Sequence, residues 1–202
     1  MTKDELQYII YTDYFRISGT TLRFRDKLKV WLNYNSHPGF RIMFFYRHCC
    51  YYRNANKLLY WFWSRCFRSI SEHYRVELPV TVKIGSGFIF YHADGIVLHP
   101  NTVIGRNCSI LQQVTIGNTI KSKDRVAIIE DNVNIGAGAK IIGSIHIGSN
   151  VAIGANAVVT HDVPDNCSVA GIPARVLNED NHNLPYHTDY LSFNDWKERK
   201  HK

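Results

Sequence analysis

From Ile129 to Val163 one register repeats without a break, and few folds can accept it. Ile129, Ile135, Ile141, Ile147, Ile153 and Val159 fall every six residues. A second small-aliphatic series, Val133, Ala139, Ile145, Val151, Ala157 and Val163, keeps the same period. An α-helix would scatter such a series over drifting faces, and a simple alternating strand has no use for a glycine at this interval. A period of six is the mark of a β-helix, in which short strands stack coil upon coil and aliphatic ladders fill the interior. Gly136, Gly148 and Gly154 directly follow ladder members, which predicts backbone turns at φ values costly for a β-carbon.

The same register is legible further upstream. It begins at Val82 with Ile84, Phe90 and Ile96, slips by two near Gly95, and resumes as Leu98, Ile104, Ile110 and Ile116. It breaks again over residues 117–127, a polar and basic stretch expected to leave the coil as a loop. The first 75 or so residues lack the period and read as helical. Thr20-Thr21 is placed as the cap of a helix running to Leu32, Pro38 as the first turn of a second, and Asn54 as the start of a third reaching Ile70. Arginines interleave with the aromatics here (Arg41, Arg47, Arg53, Arg65, Arg68, Arg75). Solvated arginines on a helical cap account for them most simply, and peripheral contact with a membrane is the sharper alternative. The expected organisation is a helical region over 1–76, a β-helix over 77–177 with its loop at 117–127, and a polar tail over 178–202.

Composition constrains partners more than fold. The formal charge of +7 over 202 residues favours anionic ligands. The five cysteines are odd in number, form no CxxC pair, and read as buried thiols of a reducing compartment. The N-terminus has no signal-peptide pattern, and the most apolar run, Leu58 to Trp63, is too short to span a bilayer. The expectation is a cytoplasmic protein, with the inner face of the membrane as a further location.

Several segments, in order, resemble the hexapeptide-repeat (left-handed β-helix) acyltransferases, and among them the serine acetyltransferase branch. They are HPGF from His37, VELPVTVKIG, YHADGIV, SILQQVTIGN, IGAGAKIIG, IGANAVV and AGIPAR, covering residues 37 to 177. The helical region is shorter than is usual in that branch. By its position alone, His92 lies at the first break in the ladder, where a side chain leaves the stacked wall, and an imidazole titrates near neutrality. A surface histidine at a coil corner would look the same. The resemblance makes His92 the general base and puts Glu77, where the family has aspartate, behind it as orienting carboxylate. It implies direct transfer from acetyl-CoA to an acceptor hydroxyl, with the backbone at Gly117-Asn118 facing the oxyanion. It also implies that CoA lies along the coils, with Ala137 and Ala155 leaving room and Lys140 and Arg175 meeting phosphates, and that the assembly is a homotrimer.

Two departures bear on the acceptor. Tyr91 stands where the serine enzymes carry an aspartate, and their Arg-His pair is reduced to Arg125-Val126. Without those groups a small zwitterion should bind poorly, so the expected acceptor is a sugar, held by Tyr91 and Arg125. Such a chain would be similar to capsule, exopolysaccharide or O-antigen acetyltransferases of polysaccharide biosynthesis. Serine O-acetylation, a step of cysteine biosynthesis, is the alternative. A zinc enzyme on the same fold would need an HxxxxH pair, and His92, His99 and His146 do not supply one, so no metal is expected. Nothing beyond the basic aromatic helices points to nucleic acid, and none is expected as a partner.

Overall fold

The computed structural model describes residues 1–20, 37–120, 124–181 and 192–200. Among the described residues three helices, α1 (Lys3–Ser18), α2 (Pro38–Ala55) and α3 (Lys57–His73), precede a parallel β-helix with three faces. One face stacks β1 (Val76–Glu77), β4 (Ile96–Leu98), β7 (Thr115–Gly117), β10 (Lys140–Ile142) and β13 (Val158–Val159). The next stacks β2 (Lys83–Ile84), β5 (Val103–Ile104), β8 (Ile128–Ile129) and β11 (His146–Ile147). The third stacks β3 (Ile89–Phe90), β6 (Ser109–Ile110), β9 (Asn134–Ile135), β12 (Ala152–Ile153) and β14 (Ser168–Gly171), closed by the antiparallel β15 (Ala174–Asn178). Both aliphatic ladders point inward: Ile135, Ile141 and Ile147, like Val133, Ala139 and Val151, have no exposed surface.

Pairing register measures each coil. Asn134 pairs with Ala152, eighteen residues on, which is three faces of six. Lys83 pairs with Val103, twenty residues on, and Val103 with Ile128, twenty-five residues on. The first coil therefore holds two extra residues and the second seven. The seven belong to the loop at 117–127, between the β7 and β8 faces. The two are located by hydrogen bonds on either side: Tyr91 N donates to Ile110 O in one register, and Gln113 N to Asp94 O in the other. His92 and Ala93 lie between them.

The corners work differently from the expectation. Gly136 and Gly154 are required by close approach to the next coil, where a β-carbon would lie 2.6 Å from Ala155 N and 2.7 Å from Ala170 Cβ. At one corner left-handed φ recurs on asparagine in coil after coil: Asn107 (58°), Asn132 (61°), Asn150 (59°) and Asn166 (59°). Asparagine tolerates that region. Here its amides also form a ladder, each Nδ2 donating to the Oδ1 one coil on, at 3.1, 3.0 and 2.8 Å.

A β-helix leaves unpaired backbone at its first coil, and the helices cover it. Arg47 of α2 donates to the carbonyls of Ile84 and Gly85 at 2.6 Å each, and its Nε to Asp13 of α1 at 2.9 Å. Asp13 in turn accepts from Phe88 N at 2.8 Å, and Thr12 Oγ1 from Gly87 N at 3.0 Å. The Tyr46 hydroxyl donates to Val82 O. Arg47 is 4% exposed, so one of the arginines read as solvated is a structural ligand of the backbone. Burial pushes the Asp13 carboxyl up, against the pull of the Arg47 guanidinium and the Phe88 N–H.

Local signals explain the helix ends. Thr2 and Glu5 form a capping box at the start of α1, which lies within the region expected to be helical but whose S/T-x-x-E start signal was not used to place it. Pro38 opens α2 as expected. Asn54 lies inside α2, and the cap of α3 is Asn56, whose Oδ1 accepts from Leu58 N and Leu59 N at 3.0 Å. The helix expected to run from Thr20-Thr21 to Leu32 falls almost wholly outside the described residues. In the tail, α4 (Phe193–Lys200) sets Phe193 and Trp196 against Tyr8 of α1, with ring centroids 5.2 and 5.7 Å apart. The cysteines are free thiols, and burial pushes Cys49 and Cys108 up to about 12.

Candidate functional site

The two-residue slip produces the site. A stacked corner keeps its side chains in line, whereas the extra His92-Ala93 step has no counterpart in the coil below. Ala93 turns into the core at 6% exposure, and His92 stands out from the corner, exposed. A second histidine faces it. His37 precedes Pro38 as the N-cap of α2, and Gly39 brings that helix end onto β3 so closely that a β-carbon there would overlap the Phe90 carbonyl oxygen. His37 is half-buried, with its Nδ1 enclosed and without a hydrogen-bond partner. Burial, and then the charge of His92, hold its imidazole below the usual histidine range.

Below His92 the corner column becomes narrow. Counting two residues past Ile110, Ile135, Ile153 and Val169, the column carries Gln112, Ala137, Ala155 and Gly171. The hydrogen bonds from Gly138 N to Gln112 O and from Asn156 N to Ala137 O, both 2.8 Å, hold that alignment. At its foot Ala170 pairs with Arg175 across the β14–β15 hairpin. His92, Ala137, Ala155 and Arg175 thus share one edge of the solenoid. Lys140 is on the adjoining face, where its ammonium reaches Gln113 O and, at 3.2 Å, Thr115 Oγ1.

Other named residues sit elsewhere. Glu77 pairs with Val97 on β1, its side chain exposed and lining a groove of about 620 Å³ between α3 and the first coil, with Arg68, Ser71 and Arg75. No hydrogen bond or ion pair joins its carboxylate to His92. Asp94, two residues past His92, is paired with Arg75 at 2.6 Å. Gly117, Asn118 and Arg125 belong to the loop at the following corner, across the β7 face from His92. Tyr91 is 37% exposed beside His92, whereas Val126 is 7% exposed and packs in the core. Among the described residues no three His, Cys, Asp or Glu side chains gather as a metal site. None of the helices described there is long and apolar enough to cross a membrane.

Residues 127–161 match the bacterial transferase hexapeptide family (six repeats). The serine acetyltransferase of Haemophilus influenzae is 46% identical over 112 residues, which are 55% of this chain and 42% of that protein. Two solved structures align over 87% of the chain. A serine acetyltransferase in complex with CoA has 33% identity and a TM-score of 0.68, with 71% of its own chain covered. The Neisseria gonorrhoeae serine acetyltransferase in complex with serine has 31% identity and a TM-score of 0.70, with 70% covered. Coil and ladder are those of the left-handed β-helix transferases. The chain belongs, within them, to the serine acetyltransferase family. It spans about half the length of the curated relatives it matches.

These relatives overturn the sugar acceptor and the capsule, exopolysaccharide or O-antigen role expected from Tyr91 and Val126. The structure shows why one of those residues misled. Val126 is a core residue, so its lack of a hydrogen-bonding side chain reflects packing in the solenoid wall. Tyr91 was set against a carboxylate expected at its position, and a missing group names no replacement.

Proposed function

We propose that the protein is an acetyl-CoA-dependent serine O-acetyltransferase with His92 as general base. The observation that carries this reading is the corner itself. It presents a histidine outside the stacked wall, above a column of small residues, in a chain whose solved neighbours include complexes with CoA and with serine. Acetyl-CoA supplies an acyl group activated as a thioester. His92 removes the proton of the serine hydroxyl as its oxygen bonds to the acyl carbon, and returns a proton to the departing sulfur. Backbone N–H groups at Gly117-Asn118 face the charge that builds on the carbonyl oxygen. Glu77 orients the imidazole once the acceptor is bound, since catalytic hydrogen bonds are often long in the free enzyme.

Ala137, Ala155 and Gly171 leave a shelf for the pantetheine arm. Five strand spacings of about 4.8 Å separate the level of His92 from that of Arg175, roughly 24 Å, which sets the guanidinium to meet the nucleotide phosphates at the far end. Lys140 adds positive charge along that path. Because Gly117, Asn118 and Arg125 lie across a face from their own His92, they complete the His92 corner of a neighbouring copy in a closed cyclic trimer. Thermal melting tests the cofactor reading. Saturating acetyl-CoA should raise the Tm by mass action, and Ala155→Trp should abolish the rise while leaving the unliganded Tm within a few degrees. No rise for the wild-type protein at millimolar acetyl-CoA removes the assignment.

A further inference from the structure

α3 is apolar along its inward side and, over its first two turns, on its outward side as well. The inward side, with Phe67 and Ile70 buried and Trp63 half-buried, packs on α2 and the first coil. The outward side carries Leu58, Trp61 and Phe62, spaced i, i+3 and i+4, at 75%, 59% and 41% exposure, with Leu59 beside them at 39%. The inward stripe is buried in the fold, and the outward one keeps a large apolar area at the surface. Such a stripe on one helix is more than the scattered apolar side chains of an ordinary surface. Its surroundings are basic: Arg53, Lys57, Arg65 and Arg68 are all exposed, and the Arg65 guanidinium lies 5.5 Å from the Trp61 ring centroid. Between residues 38 and 71 there is no Asp or Glu, and the first acid on α3 is Glu72.

We propose that this outward face seats the protein on an anionic lipid surface. Leucine, tryptophan and phenylalanine flanked by lysine and arginine are what an interfacial helix needs: apolar groups to enter the headgroup boundary, and cations to meet lipid phosphates. A second copy of the chain fits less well. A two-fold contact through this face would set Lys57, Arg65 and Arg68 against their own equivalents, with no carboxylate on the face to answer them. The proposal stands apart from the acetyltransfer chemistry, because none of these side chains belongs to the His92 corner.

Co-sedimentation of the full chain with phosphatidylcholine vesicles, with and without about one-third phosphatidylglycerol, tests it. The expected result is at least tenfold stronger partitioning onto the anionic vesicles, weakened in about 0.5 M salt by screening. L58S/W61S/F62S should lower partitioning at least tenfold, with melting temperature and serine acetylation unchanged. Should that variant fold poorly, R65Q/R68Q serves instead and should remove the preference for anionic over zwitterionic vesicles. Equal sedimentation with and without vesicles overturns the proposal. So does a wild-type oligomer that L58S/W61S/F62S splits in analytical ultracentrifugation, since the face would then belong to a second copy.

Discussion

Gly39 of α2 lies against the carbonyl of Phe90 in β3, too close for any β-carbon. The contact sets the entry of α2, and so His37, beside the corner that carries His92. Gly39→Ala should lift the helix end, with a loss of about 1–3 kcal/mol from overpacking and a fall in kcat of at least tenfold. Urea unfolding and steady-state kinetics measure the two separately. Unchanged kcat in a folded variant would mean that the helix end does not position the site.

His92→Ala should reduce turnover by roughly 10²–10⁴-fold, the usual worth of a placed general base. The dissociation constant of CoA should hardly move, because the imidazole acts on the acceptor hydroxyl. Glu77→Gln should cost less than His92→Ala, since the base remains. A folded His92→Ala protein with wild-type turnover would take the residue out of the mechanism.

Arg47 is one of the residues that tie the helices to the solenoid. Arg47→Met leaves Asp13 buried without its guanidinium and uncovers the carbonyls of Ile84 and Gly85. Removing one partner of a buried pair costs about 3–5 kcal/mol, and the expected loss by chemical denaturation is of that size. Adding Asp13→Asn to Arg47→Met should recover part of it, by removing the stranded charge.

His37 gives stability an acid limb. Its imidazole is held below the usual histidine range by burial and by the charge of His92, so the unfolded chain takes up its proton at a higher pH than the folded one. The contribution is complete above the unfolded value of about 6.5 and is lost as pH falls through the lowered folded value. Melting curves between about pH 5 and pH 8 should be less acid-sensitive for His37→Gln than for the wild type. Parallel curves would show that His37 takes its proton equally in both states.

The solenoid was legible because its signal is repeated. Each coil places a small or branched aliphatic side chain at the same inward point, so the period survives any single irregularity, even Ile142, which follows the ladder member Ile141 where Gly136, Gly148 and Gly154 follow theirs. The corners were less legible. Gly136 and Gly154 marked the right places for the wrong reason, since left-handed φ there falls two residues on, at Gly138 and Asn156, and at another corner it falls on Asn107, Asn132, Asn150 and Asn166. Their value lies in amide contacts one coil apart, which no local pattern displays. His92 stood out at a break in the period, and only the family resemblance gave it a role. The pairing of His37 with it was not legible, because only docking of α2 through Gly39 joins two such distant stretches. Val126 shows the opposite failure: its burial is set by the loop's return to the coil, and from sequence it passed for an acceptor contact.

Acetyl transfer to serine at the His92 corner would make thiol release depend on both the acceptor and the imidazole. Thiol release from acetyl-CoA, followed with L-serine as acceptor for the wild-type protein and for His92→Ala, tests it most directly. The expected result is rapid release that depends on serine, with O-acetylserine formed in equal amount, and a rate at least 10²-fold lower in the variant. Release that does not respond to L-serine, or that is the same in both proteins, would contradict it.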